Sequence, residues 1–139
     1  MTIGLDTVVR NSGLQVIIDA LDAGAGANAT IELYGAGLGR PATGAAITDQ
    51  TLIGTLTLSN PSGTIATGVL TFDTITDDTS ADADENIGWA RFLDTDGNFV
   101  CDMGCGIAAS GEELIFNTLT ARIGGIIQIL SGSLTAGNA

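Results

Sequence analysis

The chain has no histidine and no lysine among its 139 residues. Without histidine, Ser-His-Asp and Cys-His catalysis and the common zinc sites are excluded. Four arginines, Arg10, Arg40, Arg91 and Arg122, are its only cationic side chains, against 16 acidic residues and a formal charge of -12. Such a surface repels phosphate backbones, so no nucleic-acid partner is expected. Aromatics are scarce, with one Trp, one Tyr and four Phe, which leaves little to stack on a sugar. Prolines number two. There is no long hydrophobic run either: the most apolar C-terminal segment, IGGIIQIL, is far shorter than the roughly 20 residues that cross a bilayer. The start, MTIGLDTVVR, has no basic region followed by a long apolar run, so no secretory signal and no membrane partner are expected, and synthesis in the cytoplasm follows.

Two cysteines occur, Cys101 and Cys105, in CDMGCG. In one extended strand they share a face but stand about 13 Å apart, beyond disulfide reach. Reduced thiols are one expectation, and a small local disulfide closed by a turn near Gly104 is the other. A metal site lacks further ligands, and no cofactor is expected.

The 45% hydrophobic content excludes disorder, and 20 glycines without a collagen-like period point to many turns between short strands. The length fits one domain, 1–139, made of an N-terminal helical segment over 1–24 and a β-sandwich over 25–139. Within residues 5–22, Leu5, Val8, Val9, Val16, Ile17, Ala20 and Leu21 are read as one helical stripe that covers the core, with a break near Asn11 to Gly13 allowed for. A partner-binding face is the other reading of Leu5, Val8, Val9, Ile17 and Leu21.

Strands are expected at 29–35, at 51–59 and at 68–75, the last two as connected neighbours with turn residues NPSGTIAT between them. The segment GAGLGRPATGAAITDQ is expected to be a long exposed loop. Trp89, Arg91 and Leu93 alternate with Ala90 and Phe92 before Asp96 and Gly97, which is a hairpin signature. ELIFNT reads as a short strand, and TARIGGIIQILSGSLTAG as one longer strand kinked at Gly124 and Gly125. The fold class is therefore mostly β, a sandwich of Ig-like or jelly-roll-like kind with one N-terminal α-helix.

The motifs carry little chemistry. Gly35, Gly37 and Gly39 follow a strand, but Arg40 and Pro41 lead into more loop and supply no helix N-terminus for a phosphate. Asp94, Asp96 and Asn98 begin like a calcium loop, yet Cys105 stands where its final glutamate belongs. That leaves a weak lone calcium candidate or a plain hairpin turn. The run Asp77, Asp78, Asp82, Asp84 and Glu85 contains no base or cation to move a proton, and reads as structural.

Taken in order, the helix ending in DAGAGA, the strand IELYG, the RPATG loop, the segment DTSADA, the hairpin GWARFLDTDG and the terminal LTAGN resemble the landmarks of a family of small virion structural proteins of tailed bacteriophages. The resemblance spans essentially the whole chain. It implies a non-enzymatic building block of the particle, first of all a capsid cement or decoration protein. Such a protein binds the exterior of the major capsid protein shell, bridges neighbouring subunits, and associates with copies of itself as a dimer or trimer. A tail or head-tail junction protein is the alternative, and an Ig-like adhesion or glycan-binding module a more distant one. Expected contacts with the shell or neighbouring copies are Leu5, Val8, Val9, Gly37, Leu38, Arg40, Pro41 and Thr43.

Overall fold

A computed structural model of the chain describes residues 4–136. The ends of the MTIGLDTVVR and LTAGN motifs lie outside the described residues. The fold is mostly β with a single helix: one continuous sheet curls on itself in a sandwich-like half-barrel. Helix α1 spans Thr7–Leu21, and the strands are β1 (Thr30–Gly35), β2 (Leu52–Thr57), β3 (Gly63–Ala66), β4 (Val69–Phe72), β5 (Glu85–Leu93), β6 (Phe99–Ile107), β7 (Leu114–Phe116), β8 (Thr120–Ala121) and β9 (Ile129–Thr135). Their order is β2-β1-β5-β6-β7-β9-β4-β3, with β8 added to the start of β5.

The expected hairpin is β5-β6. Phe92 pairs with Cys101 and Trp89 with Gly104, and Gly97 takes the left-handed φ of +86° that the turn requires. Asp94 holds this turn by accepting the N–H groups of Asp96 and Asn98, at 2.9 and 2.8 Å. β6 continues straight through Gly104, so Cys101 and Cys105 stay on one face as free thiols.

Three strand expectations need correction. Residues 63–66, read as turn, form β3 and pair with β4. β2 and β4 are not paired neighbours: β2 pairs with β1, β4 lies between β3 and β9, and the two segments meet only at a single bridge between Thr57 and Thr76. The long C-terminal strand is two, β8 and β9, because the chain turns at 123–124 and leaves the sheet until the bridge at Ile127. In each case pairing was settled by strands distant in sequence, which local alternation does not encode.

α1 is capped by Asp6, whose carboxylate accepts the Val8 N–H at 2.8 Å, and it runs through Gly13 without the break allowed for. Its core-facing side differs from the expected stripe. Leu14, Ile18 and Leu21 are buried and Ile17 is half-buried, against β3, β4 and β6. Val8, Val9 and Val16 are 71%, 54% and 66% exposed, and Leu5 is exposed as well. At 3.6 residues per turn the expected residues spread over more than half the circumference, and the sheet took the arc that carries Ile17 and Leu21 of that set, opposite Val8, Val9 and Val16.

The core lies inside the curl. Ile31, Leu33, Ile53, Leu56, Leu70, Phe92, Leu114 and Phe116 are all but inaccessible, and the rings of Phe72 and Phe92 stack at 5.2 Å. Burying each such side chain contributes about 1.5–3 kcal/mol.

Candidate functional site

Two surfaces collect the residues singled out from the sequence. The first is the outer face of β1, β5 and β6, under the loop of residues 36–50. Register places Glu32 opposite Arg91 and Tyr34 opposite Trp89 on one side, and Asp102 opposite Arg91 on the other. Arg91 donates Nε to Asp102 Oδ1 at 2.8 Å and Nη2 to Oδ2 at 3.0 Å, a two-pronged pair in which the Asp102 side chain is fully enclosed. Its third donor, Nη1, meets the Ala45 carbonyl at 2.7 Å, so the loop is tied down over the pair. The guanidinium carbon also stands 5.4 Å from the Trp89 ring centre and 5.0 Å from that of Phe99.

Tyr34 stacks on Trp89 at 4.7 Å and an interplanar angle of 17°, and its hydroxyl donates to Glu32 at 3.2 Å. Burial, then the Glu32 charge beside it, pushes the Tyr34 phenol up to about 12. The bond to Asp102 raises Arg91 further above its ordinary value. Trp89 Nε1 is buried without a hydrogen-bond partner. This face is sealed: Trp89 and Arg91 are 4% and 5% exposed. The sequence carried one signal for it, a single arginine alternating with apolar residues in a strand, which demands a buried counter-charge. That the counter-charge is Asp102 follows only from register.

The loop expected to be exposed is so on its outer side. Gly37, Leu38, Arg40 and Thr43 are exposed, Pro41 is half-covered, and Leu38 is 64% accessible. Beneath, Gly37 N–H donates to Glu85 at 2.9 Å, so the loop is anchored near both ends of its span.

The second surface is the outward arc of α1, where Val8, Val9 and Val16 lie free of the core. Gly13 is on the outside too, with open space where a Cβ would stand.

The acidic groups are mostly structural acceptors. Asp78 takes the N–H of Thr55 at 2.9 Å, Asp84 that of Ile123 at 2.7 Å, and Glu85 that of Gly37. In the calcium candidate, Asp94 accepts from the turn, Asp96 Oδ1 accepts from Ala25 and Gly26 at 2.9 and 3.2 Å, and the Asn98 amide donates to Asp94. The Asn98 N–H is the first cause that holds the Asp94 carboxyl below the usual range. Asp94 and Asn98 brace the turn itself, while Asp96, together with Thr95 bonded to the Ala23 carbonyl, staples the hairpin tip to the 23–26 segment. Among the described residues no cluster of three or more His, Cys, Asp or Glu is arranged for a metal ion. Both cysteine thiols are pushed up to about 12, by burial first and then by nearby acidic groups, which makes them poor nucleophiles. No helix among the described residues is long and apolar enough to cross a membrane.

No family model, no curated protein and no solved structure matches this chain.

Proposed function

We propose that this chain is a non-enzymatic structural protein of a tailed-phage virion, acting as a capsid cement protein that binds the exterior of the major capsid protein shell. The observation that carries the reading is the placement of apolar side chains on the outside of a chain with an ample core. Val8, Val9 and Val16 occupy the arc of α1 turned away from the sheet, and Leu38 and Arg40 crown an anchored loop. Exposed apolar groups on a strongly acidic monomer are what a protein held by repeated contacts on a lattice needs, since modest interfaces add across many copies. The order of the sequence landmarks, from DAGAGA to LTAGN, supports the same reading. The adhesion or glycan-binding alternative is weakened because Trp89 and Tyr34, the aromatic pair a sugar would stack on, cover each other beneath the loop.

The test is the copy number and position of the chain in purified virions, by quantitative mass spectrometry and particle reconstruction. Many copies over the capsid exterior are expected. A small ring at the portal or tail would move the protein to the head-tail alternative, and absence from virions would end the virion reading. Val8→Asp with Val16→Asp, and separately Leu38→Asp, should reduce decoration of shells while leaving the folded monomer intact. Point changes are preferable to removing the loop, because Ala45 is bonded to the enclosed Arg91.

A further inference from the structure

β4 and β9 are paired from Val69 and Thr135 to Thr71 and Ser133, and the same two stretches of chain meet again at the Asp78–Ile127 bridge. Between those points residues 72–77 lie opposite residues 128–132 without a rung. The sheet is split there. A trough of about 580 Å³ fills the split, lined by residues 72–75, 77 and 128–132.

Three features give the trough its chemistry. Among the described residues, the main chains of Thr74, Ile75, Asp77 and Gln128 form no backbone hydrogen bond, so their carbonyls and N–H groups are available at the rim. The exposed Asp73 and half-buried Asp77 carboxylates accept no hydrogen bond and pair with no arginine among the described residues. Asp22, Asp78, Asp84, Asp94 and Asp96, by contrast, each accept from a backbone N–H. Finally, the half-buried Ile75 and the 55% exposed Leu130 give the polar trough an apolar flank.

We propose that this split in the sheet is a socket for a basic side chain, arginine before lysine, presented by a partner protein. The methylene stem lies along Ile75 and Leu130, and the charged head reaches Asp73, Asp77 and the unpaired carbonyls. Arginine is preferred because its planar fork carries five donors, which suits several acceptors set around one opening. A bare divalent ion suits the place less well, because the trough offers two carboxylates beside an apolar flank and is far larger than one coordination sphere. An anion is opposed by both carboxylates. That the partner is the capsid shell rests on the function proposed above; the socket does not.

The experiment is an amide-shift titration of the isotope-labelled full chain with N-acetyl-arginine methylamide, with the lysine and norleucine analogues alongside. Saturable shifts confined to residues 72–77 and 128–132 are expected, weaker with lysine and absent with norleucine. In Asp73→Asn/Asp77→Asn they should weaken by about tenfold or more, with the rest of the spectrum unchanged. No shifts in these segments, equal shifts at carboxylates across the surface, or full reproduction by calcium ion would each overturn the socket. Decoration of purified shells by the same double variant tests the partner. Reduced occupancy is expected, and undiminished occupancy by a variant that has lost arginine binding would remove the shell as the source of the basic residue.

Discussion

The two faces of β1, β5 and β6 are both largely closed to water, by opposite means. The inner face does so with Ile31, Leu33, Ala90, Phe92 and Met103, which need nothing from their neighbours beyond shape. The outer face carries Glu32, Tyr34, Trp89, Arg91 and Asp102 from the same strands, and is covered by a loop whose Ala45 carbonyl accepts from Arg91 Nη1. An apolar face is tolerant of small rearrangements, while a polar one is stable only when every charge has its partner. Over the first the chain spends hydrophobic residues; over the second it spends geometry.

The sharpest way to break this comparison is Asp102→Ala, which leaves Arg91 enclosed and uncompensated. It should cost about 3–5 kcal/mol, as much as Phe92→Ala on the inner face, by urea unfolding. Replacing both partners at once, Arg91→Met with Asp102→Leu, should recover most of that loss, since apolar groups of similar volume avoid the desolvation of the pair. If the double change is as harmful as the single one, the outer face depends on the loop anchor at Ala45 more than on the balance of charge.

The next largest effect is on titration. The protein has one tyrosine, so phenolate absorbance reads Tyr34 alone, and it should emerge only near pH 12 in the folded chain. Because the folded value lies above the unfolded value of about 10, this group's contribution to stability is complete below pH 10 and is lost as the pH rises toward 12. Phenolate formation near pH 10 without unfolding would mean that the outer face is open to solvent.

The smallest effect concerns α1. Gly13 sits in an exposed helix position with open space at its Cβ, so Gly13→Ala should stabilise the folded chain by about 1 kcal/mol in thermal unfolding. Loss of shell decoration with that gain would mark the glycine as part of a contact surface.

What was legible in the sequence was local. The Asp96–Gly97 hairpin followed from turn chemistry and alternation on either side, and the Asp6 start of α1 lies within two residues of the expected one. The helix arc was not legible, because Val8, Val9, Leu14, Val16, Ile17, Ile18 and Leu21 wrap around α1 and any of several faces could have been chosen. β3 escaped notice because four residues, Gly63–Ala66, are too few to show a period among turn formers. On the candidate contact side, Leu38 and Arg40 were legible as exposed loop residues, whereas the split between β4 and β9 was not, since neither strand could be seen to face the other.

The sequence by itself determined that this is an acidic, histidine-free, mostly-β chain with one N-terminal helix, because charge, residue inventory and alternation are properties of composition and of neighbours along the chain. Only the tertiary structure decided which valines stay outside, that Arg91 meets Asp102, and that residues 72–77 part from 128–132. Those outcomes depend on register between strands dozens of residues apart, where a shift of one residue exchanges the buried and exposed faces.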